Sequence, residues 1–178
     1  STSLWFPPAA FVAAKAPSVG VHWITPDYIR TLGLRLVSGR TFTDHDRIGQ
    51  PKVALVNETA IRRFWPTVSP LGKTIAVGQG GFHTGAEIVG VVSDVRYRGI
   101  EVAPTPDVYV PLAQSVVYSP QLFVRTRLEP NALMGAVGRE VRALDPTGPW
   151  HRVASDGRGT LAHLADRRGV FGAVRVEV

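Results

Sequence analysis

The sequence has no cysteine. That excludes disulfide scaffolds, cysteine-based zinc sites and thiol nucleophiles. It leaves the compartment open, because a cysteine-free chain survives in either redox setting. Long apolar runs are missing too. None approaches the roughly 18 residues needed to cross a bilayer. Leu4 to Val12 is short and is interrupted by Pro7 and Pro8. It also lacks the charged start and cleavage site of a signal peptide. As read, the chain is expected to be soluble, and in a membrane protein it would be an extramembrane piece.

Acidic residues are few: 14 against 20 Lys and Arg, for a net charge of +6 over 178 residues. Such a balance suits nucleic acid, an anionic membrane surface or an acidic partner. The placement of charge argues against nucleic acid. Arginines come in ones and twos, such as Arg62 with Arg63 and Arg167 with Arg168, with no dense run interleaved with aromatics. A solvated basic surface, or one facing lipid headgroups, fits the same pattern.

Motifs for chemistry are equally sparse. Gly72, Lys73 and Thr74 mimic the end of a phosphate-binding loop, but Thr67 stands where the first glycine is required. A helix precedes them and a strand follows, the reverse of the order that motif needs. Residues 78–85 (GQGGFHTG) hold four glycines, yet His83 breaks the dinucleotide fingerprint and no helix follows. A hairpin loop is the reading there. Asp44, His45 and Asp46 are adjacent, and neighbouring side chains in a turn diverge, so a solvated polar turn is expected. The other histidines show no metal spacing. No GxSxG elbow occurs, and no carboxylate pair is marked out for hydrolysis. The chain is therefore expected to be non-catalytic, with no cofactor and no metal.

What is present is 44% hydrophobic residues, enough for a real core. Val19–Trp23 reads as a strand. Thr25, Pro26 and Asp27 read as a helix start with Thr25 as cap, and Gly33 as its stop. Leu34–Gly39 is extended, and 42–51 is a polar turn. Strand Val53–Val56 leads into a helix over Glu58–Trp65 capped by Asn57, with Ala60, Ile61, Phe64 and Trp65 as its apolar face. Lys73–Val77, Glu87–Val92 and Asp107–Val110 read as strands. Leu122–Thr126 as strand, Asn131–Leu144 as helix and Trp150–Val153 as return strand would make a βαβ unit. Leu161–Arg168 reads as a last helix. The order predicts an α+β chain with two lobes.

Several motifs recur in one order. Pro26 and Tyr28, then Gly39, Arg40, Phe42 and Asp46, form the first group. Asn57, Glu58, Phe64 and Pro66, then Pro70, Leu71, Gly72 and Lys73, form the second. Ile88 to Val92 with Asp94 and Val95, then Pro106, Val108, Tyr109, Val110 and Pro111, follow. Val124, Arg125 and Thr126, and Val141 to Pro146, close the set. In this order they resemble the MacB-like periplasmic core domain of FtsX-like ABC-transporter permeases. Ile29 stands where that family usually has Phe.

The resemblance implies one extracytoplasmic (periplasmic) domain over 1–178, part of a cell-membrane protein. A Porter-like βαβ lobe would comprise 20–50 and 105–165, and an inserted, strand-rich Sabre-like lobe 52–104. The family's long segment before the first helix is largely missing, which implies truncation at the N-terminus, and the tail 170–178 also departs from the family. The implied function is mechanotransmission: coupling cytoplasmic ATP hydrolysis, on a separate ATPase subunit reached through membrane spans, to partner docking or substrate export. Implied partners are a periplasmic adaptor or lipoprotein carrier and a second permease copy, with no nucleic acid. Gly80, Gly81, Phe82 and His83, at the hairpin tip, are the expected partner-contact residues. A binding module that captures a small apolar or lipid ligand between its lobes is the alternative.

Overall fold

A computed structural model describes residues 2–5, 18–77, 85–95, 103–115, 120–125, 130–144 and 170–173. Its elements are β1 (Thr2–Trp5), β2 (Ser18–Ile24), α1 (Tyr28–Thr31), β3 (Leu36–Gly39), β4 (Val53–Asn57), α2 (Glu58–Phe64), β5 (Thr74–Val77), β6 (Ala86–Val92), β7 (Asp107–Pro111), β8 (Pro120–Phe123), α3 (Pro130–Leu144) and β9 (Val170–Ala173). The architecture is α+β, as the sequence predicts.

Seven strands form one mixed sheet in the order β3-β6-β4-β7-β2-β1-β5, and β5 pairs back onto β6. Every residue of β4 and β7 is buried. A central strand covered on both faces reads as a continuous apolar run, which is what Val53–Val56 and Val108–Val110 are. On one face, Val19 and Trp23 of β2, Ala54 and Val56 of β4, and Val108 and Val110 of β7 pack with Ala60 and Trp65 of the α2 region. On the other, Ile24, Leu55 and Tyr109 pack with Tyr28, Ile29, Phe42 and Phe123.

The β6 alternation breaks midway. Ala86 and Ile88 face the first core, but so does Val91. The pairing with β4 slips between Ala54–Ile88 and Leu55–Gly90, which leaves Val89 as an extra residue. A bulge of this kind shifts the side-chain parity by one, so Val89 and Val92 both turn to the second core.

The sequence reading places the cap of α1 at Thr25; in the structure the helix begins two residues later. Residues 26–27 form a turn, Asp27 is the N-cap without a side-chain bond, and the Tyr28 amide donates to the Thr25 carbonyl at 3.1 Å. Proline at 26 fixes φ for a turn as readily as for a first helical residue. Gly33 ends the helix at φ 69°. The strands of 52–104 and those of 20–50 and 105–111 are hydrogen-bonded in the same sheet, since β4 lies between β6 and β7.

The parallel partner of β8 is β9, in register from Pro120–Val170 to Phe123–Ala173. The connection carries α3, as parallel pairing requires a long crossover. The expected strand at 150–153 and helix at 161–168 lie outside the described residues. No α3 side chain among those described is fully buried; Leu133 and Val137 are half-buried.

Candidate functional site

Polar side chains gather at two places, and each braces a loop to the sheet. The first is the turn after β3. Gly39, at φ 76°, ends that strand and sends the chain away from the sheet. Arg40 then clamps Asp46, donating from Nη1 at 2.8 Å and from Nη2 at 2.9 Å. The Thr43 amide donates to the same carboxylate at 2.8 Å. Burial raises the Asp46 carboxyl, but the bonds from Arg40 and Thr43 outweigh it and hold the group below its ordinary value. The bond to Asp46 raises Arg40 in turn.

The far end of the turn is pinned as well. The Ile48 amide donates to the Ala113 carbonyl at 2.9 Å. Gln114 donates to the Pro51 carbonyl at 2.9 Å and accepts from the Val53 amide at 3.3 Å. The Ile48 side chain is 72% exposed on this braced loop. Adjacent acidic and histidine side chains here do not converge. Asp46 points inward to Arg40, while Asp44 and His45 are exposed. The expected solvated turn thus holds for two of the three, and the third is a structural anchor.

The second place is the start of α2. Asn57 accepts from the Ala60 amide at 2.9 Å, the N-cap its sequence position predicts. The same oxygen accepts from the Asp107 amide at 3.0 Å, and its Nδ2 donates to the Thr105 carbonyl at 2.8 Å. Asp94, just after β6, accepts from the Thr59 amide at 2.8 Å, from the Thr59 hydroxyl at 2.9 Å and from Arg62 at 2.7 Å. Its carboxyl is raised by burial, yet those bonds lower it on balance. His22 lies 3.4 Å from the buried Asp107 carboxylate and stacks on Tyr109 with ring centroids 5.2 Å apart.

These groups hold structure. No cluster of three or more His, Cys, Asp or Glu able to hold a metal occurs among the described residues. Lys73 follows Gly72, at φ 77°, in a turn whose amide bonds to Pro70 before β5 begins. That is the turn-into-strand reading of the Gly72–Thr74 motif. Gly80 to His83 lie outside the described residues, as does the whole of 78–84. The strands on either side pair antiparallel, Thr74 with Glu87 and Ile75 with Ala86, so 78–85 joins neighbouring antiparallel strands.

The surface features missed by the sequence reading are apolar. All four residues of the edge strand β3 are exposed, and Leu36 and Val37 are each 39% accessible. Only their alternation in a strand with no second polar face could have pointed to them. Val68 is 53% exposed in the turn after α2.

The family model for the MacB-like periplasmic core domain matches residues 5–144. Among proteins of known sequence, the chain is 30% identical over 92 residues to the uncharacterized ABC transporter permease YknZ of Bacillus subtilis (strain 168), covering 51% of this chain and 21% of that protein. It is 30% identical over 82 residues to the macrolide export ATP-binding/permease protein MacB of Aggregatibacter actinomycetemcomitans, covering 46% of this chain and 12% of that protein. The chain thus corresponds to a minor part of both. Among solved structures, the periplasmic region of MacB from Actinobacillus actinomycetemcomitans aligns with a TM-score of 0.47 at 18% identity, over 67% of this chain and 54% of that one. The extracellular domain of YknZ aligns with a TM-score of 0.37 at 21% identity, over 64% of this chain and 44% of that one. No described helix is long and apolar enough to cross a membrane.

Proposed function

The chain belongs to the MacB-like periplasmic core domain family, the periplasmic domain of ABC-type transporter permeases; from that premise we propose that it is a non-catalytic coupling and docking module. ATP would be bound and hydrolysed on a separate cytoplasmic subunit or domain. This domain would pass the resulting movement to a periplasmic adaptor, a lipoprotein carrier or the exported substrate. Coupling of that kind requires the partner to bind two conformations with different affinity.

The observation that carries docking is the exposed apolar edge at Leu36 and Val37. Exposed apolar groups on an edge strand are a pairing hazard unless a partner uses them. In the full permease, Leu36→Asp with Val37→Asp should leave the fold and ATP hydrolysis intact and reduce export. Unchanged export would remove this edge from the docking surface.

The tip Gly80, Gly81, Phe82 and His83 is proposed as a second contact. Loops set on a rigid scaffold often carry contact function, and β5 and β6 supply such a scaffold. Shortening 78–85 should leave the thermal midpoint nearly unchanged and impair transport. Intact transport would make the loop a connector only.

A further inference from the structure

The sheet is closed by a single short strand. β1 has four residues. Its first two pair antiparallel with β2, Thr2 opposite Val19 and Ser3 opposite Ser18. Its last two pair antiparallel with β5, Leu4 opposite Val77 and Trp5 opposite Ala76. β1 therefore fills a slot one strand wide between β2 and β5. Without it, both strands would present unpaired backbone edges.

The segment that must bring β1 back onto β2 is residues 6–17, FPPAAFVAAKAP. Its twelve residues hold three prolines and no Gly, Asn, Asp or Ser. Those missing types are the ones that let a chain reverse direction. Prolines favour extended backbone at themselves and at the residue before them. A linker of this composition spans distance better than it turns back.

The geometry points to β1 as an exchangeable strand: the β1 of one copy of this chain seats in the β2–β5 slot of a second copy. The pairs formed are the same within a chain and between chains, so exchange loses no contact. The balance rests on the linker. A short flexible linker presents its strand at an effective concentration on the order of millimolar, and a linker that spans poorly presents far less. A stiff linker therefore lets a second copy compete at lower protein concentration. Two copies held side by side in one membrane would meet that condition most readily.

The absence of native cysteine makes the test clean. Paired residues in an antiparallel ladder have Cα atoms about 4.5–5.5 Å apart, within disulfide reach. Ser3→Cys and Ser18→Cys are made singly and together. The double variant should form its disulfide within one chain in dilute solution. Single variants refolded together and oxidised should form a Ser3-to-Ser18 bridge between chains, identified by peptide mass. Its yield should rise with protein concentration, in step with dimer seen by light scattering of the unmutated chain. Replacing 6–17 with a Gly/Ser linker of equal length should lower the bridged fraction several-fold. If the double variant closes within the chain while the mixture never bridges at any concentration, exchange is rejected. If the double variant closes neither within nor between chains, β1 does not occupy the slot and the proposal falls as well.

Discussion

One oxygen of Asn57 holds two backbones together: it accepts from the Ala60 amide of α2 and from the Asp107 amide at the start of β7. Replacing Asn57 with Ala should therefore do more than remove a cap. Loss of an N-cap alone costs about 0.5–2 kcal/mol. Here the Asp107 amide and the Thr105 carbonyl also lose their partner beside a fully buried residue. Each buried group left unsatisfied adds about 1–3 kcal/mol. Urea unfolding of Asn57→Ala should show a loss of about 3–5 kcal/mol. A loss near 1 kcal/mol would mean that the α2 cap is the only function of the side chain.

Gly39 and Gly90 face each other across β3 and β6. A Cβ on Gly39 would collide with the Val89 carbonyl, and one on Gly90 with the Arg40 carbonyl. Both neighbours are backbone and cannot swing aside. Gly39 adds a positive φ, which itself disfavours a side chain. Gly49 also has a positive φ, 90°, but nothing within 4 Å of its Cβ position. Gly39→Ala and Gly90→Ala should each destabilise by about 2–4 kcal/mol, and Gly49→Ala by about 1 kcal/mol. Equal losses at all three would show that the strands spread to accept a methyl group.

Acid should weaken both braces. The Asp46 and Asp94 carboxyls titrate below their ordinary 3.8 in the folded chain. Their contribution is complete above the unfolded value and is lost as pH falls through the lower folded value. The thermal midpoint should therefore fall as the pH is taken below about 4, and Asp46→Asn or Asp94→Asn should flatten that fall. An identical acid limb in both variants would place the titrating groups elsewhere.

Trp65 should matter more than Phe64. The spacing of Ala60, Ile61, Phe64 and Trp65 makes all four core candidates, but it does not rank them. In the structure Trp65 is 6% exposed among Ile88, Val91 and Val110. Phe64 is half-buried, edge-on to Trp65, with the Arg63 guanidinium 5.5 Å over its ring. Trp65→Ala should cost about 3–5 kcal/mol and Phe64→Ala about 1–2 kcal/mol. The reverse order would mean that α2 is rotated on the sheet.

The same contrast runs through the molecule. Strands with both faces covered were legible because burial leaves an unbroken apolar run, as in Val53–Val56. Asn57 and Gly33 were legible because cap chemistry is local. The Val89 bulge was not, because parity is set by the partner strand. Val170–Ala173 was read as a tail, since a four-residue strand without alternation gains its identity only from pairing with β8. The buried anchor at Asp46 was hidden for a similar reason. A polar turn looks solvated until an arginine six residues earlier folds onto it.

The last prediction concerns the turn 42–51, whose polar composition suits a hinge between the proposed lobes 52–104 and 20–50 with 105–165. In the structure this turn is strapped by the Arg40–Asp46 clamp, by Ile48 to Ala113 and by Gln114 to Pro51. Any movement of one segment against the other must break some of these bonds or use the sheet as a lever. If the domain transmits motion through this joint, fixing it should uncouple the permease. Ile48 and Ala113 are both exposed, so a cysteine at each replaces no core group. Oxidising Ile48→Cys with Ala113→Cys in the full permease should leave the fold intact and reduce ATP-driven transport, and reduction should restore it. Full transport with the disulfide formed would reject motion at this joint. The domain would then dock its partner as one body, with the braces serving to keep that body rigid.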